Sequence, residues 1–574
     1  MYTNHVNIQI IISLLKQHNI KHLVLSPGTR NAPLVHSVET DSFFTCYSIV
    51  DERSAAYFAL GLSASIDAPV CLSCTSSTAA CNYLPAIKEA YEKHIQLIAL
   101  TADRDRHLLY QMEDQMIDQV NMYKGYTKCS VNLPAVKCDD DIWFCERSIN
   151  KVILELDHHG KGPVHINFEV SKIGNFSTKQ LPVYRKITRV ESFADARMLK
   201  NYQEKLACKK RILVLCGEYY SQSDELEKLL KEFAQKYNAV ISYDYFSNIT
   251  NDAFLKTVMI TEAMDAEEFK KFLPDLVITI GSHVWSFIKY KLRHNGRMFE
   301  HWRISSDGEV IDGFKALTNV FECPPEAFFK AMNQVESSNN DNQYYQLWKN
   351  RINSVCYPDL KFTNFSVVRD FIKQIPDGSL LHLSILNSTR LINFWSLGSN
   401  VRCFSNLGAD GIDGSISTFL GQSNVNDKLS FLVIGDLSFL YDLNATLIQL
   451  HENQRILLIN NFAGGEFHTN FGLDSISTLN QHIAAGHHTK LAAWISMLNV
   501  KYLCASNQQE LNESLKVFVS KSEVPIILEV FTDADTDAKT LKKFYSINRT
   551  HTNKTFVKKF IYKALRVLKL KRKI

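Results

Sequence analysis

Long apolar runs are missing from this sequence. No stretch approaches the ~20 consecutive apolar residues of a transmembrane helix, which excludes a polytopic membrane protein. The marks of a disulfide-stapled domain are also weak. The thirteen cysteines are odd in number, scattered from Cys46 to Cys504, and set in a 574-residue chain too large to need staples, so they read as free thiols. Cys71 and Cys74 have CxxC spacing within APVCLSCTSS, but no second pair stands at metal-site spacing, and the stretch reads as a buried strand. A GxSxG nucleophile elbow, a Walker loop and a GxGxxG fingerprint are all absent, which leaves serine-hydrolase, P-loop and Rossmann dinucleotide chemistry without their motifs. No short tandem repeat of the solenoid kind occurs. The N-terminal stretch MYTNHVNIQIIISLLKQHNI lacks a basic n-region and a small-residue cleavage site. It reads as an amphipathic helix, and a cytoplasmic protein is the expectation.

What is present is ordinary globular composition: 45% hydrophobic, 22% charged and a mean hydropathy of −0.13. At ~150 residues per domain such a chain divides into roughly three or four domains. The net charge of +4 hides an asymmetry. Residues 549–574 carry ten Lys/Arg and no Asp/Glu, leaving 54 basic against 60 acidic residues before them. The body is therefore mildly acidic, and no nucleic-acid partner is expected.

Short apolar runs alternate with helix-length amphipathic stretches: HLVLSPG, APVCLSC, IQLIALTAD, RILVLCG, AVISYDY, LVITIGS, SLLHLSI, LSFLVIGD, RILLINN and PIILEVF. Runs of this kind, mostly ending in Gly, Ser, Asp or Asn, predict parallel strands buried on both faces, hence an α/β class with doubly wound sheets. GPVHINFEV reads as the last strand of a first unit, followed by a polar linker near 175–195. A second series runs from Arg211 to about Phe329, a second polar linker lies near 331–346, and a third series reaches about Phe531. The expected units are 1–180, 195–335 and 350–545, with a tail at 549–574. Ligands of such sheets gather at the carboxyl ends of strands, which directs attention to the polar residues there.

Gly435-Asp436 ends one of these strands, and Asn460-Asn461 ends the next. An Asp and an Asn side chain from adjacent strand ends, with loop carbonyls, form the hard oxygen set that Mg²⁺ takes when it also holds a diphosphate. Alone, GD reads more readily as a helix cap; pairing with NN twenty-five residues later reverses that and points to a metal–diphosphate site. Glu52 opens a helix, where a first-turn carboxylate also serves the dipole. The pair His487-His488, in AAGHHTK, reads as a solvated loop.

At these motifs the chain resembles the thiamine-diphosphate-dependent enzymes, and within them the synthase branch of menaquinone biosynthesis. SPGTRNAPL, DERSAAYFALG, TSSTAACNYLPAIKEA, TADR, GPVHINF, GADGIDGSISTFLG, GDLSFLYDLNA and INNFAGGEF carry the likeness in order, across roughly residues 5 to 545. The resemblance implies pyrimidine-binding, middle and diphosphate-binding domains, with thiamine diphosphate and Mg²⁺ (or Mn²⁺) as cofactors. Glu52 then matches the catalytic residue that hydrogen-bonds the cofactor's pyrimidine ring. Gly411 and Ile412 match the stretch supporting the bent cofactor, and Asp436, Asn461 and the Ala463 carbonyl match the metal ligands. Relatives usually have Gly at the Ala463 position, a mild change because a carbonyl ligand needs no particular side chain. Glu52 and the metal motif fall in different units, so a homodimer or homotetramer with sites shared between subunits is implied.

Substrate residues follow from the same likeness. Arg30 and Arg104 match arginines that grip carboxylates, Gln115 a glutamine near the reacting carbon, and Ser388 and Arg390 a segment whose spacing to the Arg is altered. Two positions depart: Leu407 stands in place of an Arg, and Phe287, after Ser286, in place of a Lys, with Lys289 the nearest cation. The implied reaction is decarboxylation of 2-oxoglutarate and addition of the resulting carbanion to isochorismate. A related decarboxylase or ligase with another donor or acceptor stays open, as does a catalytically silent binding relative. Retention of Glu52, Asp436 and Asn461 argues against the last. Beyond the resemblance, Thr555–Leu570 places Phe556, Val557, Phe560, Ile561, Ala564, Val567 and Leu568 on an arc of about 140° opposite lysines and Arg566, a basic amphipathic helix suited to an anionic membrane surface or an acidic partner.

Overall fold

The computed structural model describes residues 1–549 apart from 185, 187–199, 222, 286, 310, 335–341, 399, 471 and 474–475. Ser286 and the basic tail beyond Arg549 therefore lie outside the described residues. Among the described residues, seventeen strands build three wholly parallel sheets. The first contains β1 (His22–Leu25), β2 (Thr45–Ser48), β3 (Val70–Cys74), β4 (Leu97–Asp103), β5 (Cys129–Leu133) and β6 (Val164–Glu169), in the order 2-1-3-4-6-5. The second contains β7 (Ile212–Cys216), β8 (Val240–Ser242), β9 (Leu276–Ile280), β10 (Glu300–Ile304) and β11 (Leu317–Phe321), in the order 11-10-9-7-8. The third contains β12 (Leu380–Leu383), β13 (Arg402–Ser405), β14 (Ser430–Gly435), β15 (Gln454–Asn460), β16 (Lys501–Ala505) and β17 (Ile526–Phe531), in the order 13-12-14-15-17-16. The first and third sheets thus share one strand order, which places β4 and β15, buried along their whole length, at equivalent positions.

Both faces of each sheet are covered, as the apolar runs require. In β3, Val70, Leu72 and Cys74 enter one apolar cluster while Cys71 enters another. Alternation in β14 likewise sends Leu432 and Ile434 to one side and Phe431 and Val433 to the other. Cys71 and Cys74 are fully buried, and burial raises both thiols, as a strand interior predicts.

The expected linkers are more ordered than polar composition suggested. The segment after β6 returns to the first unit: Tyr2 bridges Thr178, Gln9 Nε2 donates to Thr178 Oγ1 at 3.0 Å, and Gln17 Nε2 to the Tyr184 carbonyl at 2.7 Å. The helix Gln343–Asn353, read partly as linker, buries Tyr344 and Trp348 against the middle sheet's cluster.

The first and third units are locked together by the helices Glu52–Ile66 and Ser415–Ser423. A Cβ on Gly61 would stand 2.0 Å from the Thr418 carbonyl oxygen, and one on Gly421 2.1 Å from that of Phe58. Only glycine permits backbones this close. All three units meet at Lys93, whose side chain is 2% exposed: its Nζ pairs with Glu218 of the middle unit at 2.8 Å and donates to the Ser405 carbonyl of the third. Four residues earlier, Glu89 accepts the backbone N–H groups of Gly408 and Ala409. These contacts fix the loop that leads into Gly411.

Candidate functional site

The carboxyl ends of β14 and β15 lie side by side. Asp436 follows β14 as the first residue of the helix Asp436–Tyr441 and is 3% exposed. Its Oδ1 accepts the Leu437 N–H at 2.7 Å, whereas Oδ2 is buried without a hydrogen-bond partner. Burial raises the Asp436 carboxyl above the usual carboxylate range, against the pull of nearby backbone N–H groups and of His487. His487 Nε2 stands 3.4 Å from Oδ2. Its Nδ1 accepts the Thr489 N–H at 3.1 Å, so the neutral ring carries its proton on Nε2, facing the carboxylate. The expectation of a solvated His487-His488 loop is thus corrected: His488 is exposed, but His487 is held by its own N–H on the Phe462 carbonyl and turned into the site.

The turn after β15 is bent by Phe462, at φ +63°, whose ring stacks on Phe531. Asn461 Nδ2 faces Asp537 Oδ2 at 3.4 Å, and Asn461 Oδ1 accepts the Ala463 N–H at 3.3 Å. Behind it, Asn460 Nδ2 donates to Glu529 Oε1 at 2.7 Å and to the Thr489 carbonyl at 3.0 Å, tying the β15 end to the His487 loop. Ser438, on the Asp436 helix, donates to the Ile412 carbonyl at 2.6 Å, which brings the Gly411–Gly414 turn against the same strand end. Gly414 has φ +74°, and a Cβ there would meet the Tyr57 ring at 2.4 Å. Tyr57 OH donates to Asp413 at 3.1 Å, so the Glu52 helix also braces this turn. Ser388, after β12, pairs its hydroxyl with Ser384 at 3.0 Å.

A second group stands at the carboxyl ends of β1, β2, β3 and β4. Glu52 begins its helix after the N-cap Asp51, whose side chain accepts the Ser54 N–H. Half-buried, its carboxyl is pushed above the usual range by burial, with the Asp51 charge adding to the effect. Arg30 Nη1 donates to the carbonyls of Val170 and Ser171 at 3.1 and 2.8 Å, and burial and the nearby Arg104 depress its pKa. Arg104 pairs with Glu113 at 2.5 Å. Gln115, exposed and at φ +54°, accepts the Ser76 hydroxyl at its carbonyl. Among the described residues, no hydrogen bond or ion pair joins Glu52, Arg30, Arg104 or Gln115 to Asp436 or Asn461.

The two departures from the resembled pattern have different surroundings. Leu407 is 6% exposed and belongs to the apolar cluster between the middle and third units, so its aliphatic side chain fills core. Phe287 is 42% exposed beside the Tyr290 ring. Lys289 lies in the helix that Phe287 caps; burial raises the carboxyl of Asp410, the residue before Gly411, and the Lys289 charge opposes that rise.

Comparison with known proteins decides the family. Residues 8–122 match the family model "Thiamine pyrophosphate enzyme, N-terminal TPP binding domain". The chain is 36% identical over 561 residues to the 2-succinyl-5-enolpyruvyl-6-hydroxy-3-cyclohexene-1-carboxylate synthase of Bacteroides thetaiotaomicron, covering 95% of this chain and 99% of that protein. The chain belongs to this synthase family. The synthase of Flavobacterium johnsoniae is 30% identical, with 94% and 98% covered. In fold, the chain is similar to benzoylformate decarboxylase from Polynucleobacter necessarius, with a TM-score of 0.70, 15% identity, and 93% and 99% covered.

A divalent metal and a diphosphate fit the third-unit site of this synthase-family chain. Oδ2 of Asp436 is buried with no hydrogen bond and only His487 facing it at 3.4 Å, which leaves an anionic oxygen suited to a cation, and the surrounding set of carboxylate, amide and carbonyl oxygens is hard, as Mg²⁺ prefers. Sequence reasoning did not reach His487, Glu466 or Glu529. The HH doublet was the one available signal for His487; Glu466 and Glu529 become visible only through their partners.

Proposed function

We propose that this chain catalyses the reaction of its family, decarboxylating 2-oxoglutarate and adding the resulting carbanion to isochorismate to give 2-succinyl-5-enolpyruvyl-6-hydroxy-3-cyclohexene-1-carboxylate. The observation that supports this most is the buried Asp436 oxygen that accepts no hydrogen bond, with Asn461 at the adjacent strand end, in a chain matched to the synthase over 95% of its length. Thiamine diphosphate, when bound, supplies the carbanion chemistry. Asp436, Asn461 and the Ala463 carbonyl would hold its Mg²⁺ or Mn²⁺, and Gly411 and Ile412 would support its body. Glu52, which keeps its proton to higher pH than an exposed glutamate, is suited to hold or return a proton at a ring nitrogen. Arg30 and Arg104 offer guanidinium forks to substrate carboxylates, Gln115 and Ser388 uncharged hydrogen bonds.

The absence, among the described residues, of any hydrogen bond or ion pair between the Glu52 and Asp436 groups supports a homodimer or homotetramer that completes each site between subunits; sedimentation would then find no active monomer. Among the described residues no helix is long and apolar enough to cross a membrane. We keep a cytoplasmic location as part of this reading, with contact of the basic tail to an anionic membrane. Salt-sensitive sedimentation with anionic vesicles, lost on truncation after Asn548, tests that contact.

A product assay with 2-oxoglutarate, isochorismate, thiamine diphosphate and Mg²⁺ tests the reaction. A second reading, a ligase using another donor or acceptor, is favoured by Leu407, which puts apolar core where a cation is expected. One charge-assisted contact is worth ~1.5–3 kcal/mol, about ten- to a hundredfold in affinity. Decarboxylation of 2-oxoglutarate with weak use of isochorismate would support the second reading; tight use of both would remove it.

A further inference from the structure

The guanidinium of Arg390 is already engaged. Nη1 and Nη2 hold the two oxygens of Glu466 at 2.6 and 3.0 Å, and Nη1 also donates to Asn387 Oδ1 at 3.1 Å. Both side chains are largely buried, at 9% and 16% exposure, and Nε is buried without a hydrogen bond. The pair runs from the helix after β12 to the turn after β15. Those strands flank β14, so the ion pair crosses above the strand end that carries Asp436. Gly465, beside Glu466, is wedged between the two segments: a Cβ there would stand 2.8 Å from Asn461 Nδ2 and 3.3 Å from Asn387 Nδ2. From the middle unit, the Glu262 carboxyl adds its influence on Arg390.

We propose that Arg390 and Glu466 act as one positioning unit that fixes the Asn461–Gly465 turn over Asp436 and so sets metal-dependent diphosphate affinity, and that Arg390 does not grip a substrate carboxylate. The inference rests on the metal–diphosphate reading of this site. A substrate carboxylate could reach Arg390 only by displacing Glu466 and stranding a mostly buried anion, whereas the pair as built satisfies both charges. Arg390 and Glu466 are thus positioning residues, acting through the turn that holds Asn461 and Ala463.

Calorimetric titration of thiamine diphosphate with Mg²⁺ into the full chain tests this in Arg390→Gln, Glu466→Gln, the double variant and Asp436→Ala, with KM for 2-oxoglutarate measured at saturating cofactor. Each single variant is expected to weaken binding about 10- to 100-fold, the range for partners that orient metal ligands, and the double variant no more than the worse single. KM should move less than about threefold, since uniform substrate binding is not what is lost. Glu466→Asp, which keeps the charge but shortens its reach, should give an intermediate loss and keeps the test open if the Gln variant unfolds. Wild-type cofactor affinity in both single variants, with binding abolished in Asp436→Ala, would overturn the inference while leaving the metal site standing. So would a tenfold rise in KM for Arg390→Gln at unchanged cofactor affinity. Normal binding by Asp436→Ala would bring down the metal-site reading and this inference with it.

Discussion

Glu262, on the helix Val258–Ala263, has both carboxylate oxygens buried without a hydrogen-bond partner. Burial pushes its carboxyl from 4.5 up to about 7, with Glu466 adding to the rise and Arg390 and Lys291 opposing it. The folded pKa is the higher one, so between these values the native state keeps a proton that the unfolded chain has released. Stability must therefore fall as pH rises across that window and stay lowered above it. The gap corresponds to about 3 kcal/mol at most, since one unit is worth about 1.4 kcal/mol. Glu262→Gln cannot acquire the charge. Its urea midpoint should match that of the wild type near pH 4.5 and exceed it at pH 8, with the difference opening across the window. Glu89 and Asp442, raised to about 7 and about 6, titrate in the same range, so the informative quantity is the difference between variant and wild type. Parallel curves from pH 4.5 to 8, or a less stable variant at pH 8, would refute the argument, because the ionised carboxylate would then be well compensated by the nearby charges of Arg390 and Lys291.

How far the sequence speaks for the fold depends on where a strand lies in its sheet. The apolar runs at β1, β3, β4, β6, β7, β9, β12, β14, β15 and β17 were legible because interior strands are covered on both faces and carry no polar alternation, and the run at β8 was legible at a sheet edge because all three of its residues are buried. β2, β5, β11, β13 and β16 were not, and each is a sheet edge: TCYS in β2 and KYLCA in β16 are largely half-exposed and carry little apolar signal. β10, EHWRI, is interior yet opens with Glu300 and His301 and carries Arg303, a charge tolerated because Asp307 pairs with it at 2.5 Å. The site divides in the same way. Asp436 and Asn461 sit at strand ends, where chain order and the parallel-sheet rule converge. His487 and Glu466 reach the same place from loops, and their roles depend on what they face. Leu407 shows the limit of matching by position, since a letter that looked like a lost cation is a core side chain in this fold.

Asp436→Ala should abolish Mg²⁺-dependent binding of thiamine diphosphate in a calorimeter; binding equal to the wild type would overturn the site. Glu52→Gln should bind normally and lose turnover by about 10²- to 10⁴-fold, the span of a proton-transfer role. Gly61→Ala places a methyl 2.0 Å from the Thr418 carbonyl, so the two helices must separate; a drop in thermal midpoint equivalent to about 1–3 kcal/mol is expected, and an unchanged midpoint would show that the helices give way freely. Leu407→Arg would restore a cation where the resembled enzymes carry one, and on charge alone it should improve the weaker substrate's kcat/KM. The surroundings argue otherwise: the position is 6% exposed within the cluster that joins Tyr245, Phe246 and Val258 of the middle unit to Leu383 and Leu391 of the third. A guanidinium there must shed its water beside apolar groups, or push the Ser405–Asp410 loop off its anchors on Glu89 and Lys93. Lower stability without a gain in kcat/KM is the expected outcome. A rise in kcat/KM at an unchanged thermal midpoint would show that the side chain reaches the site without disturbing the core.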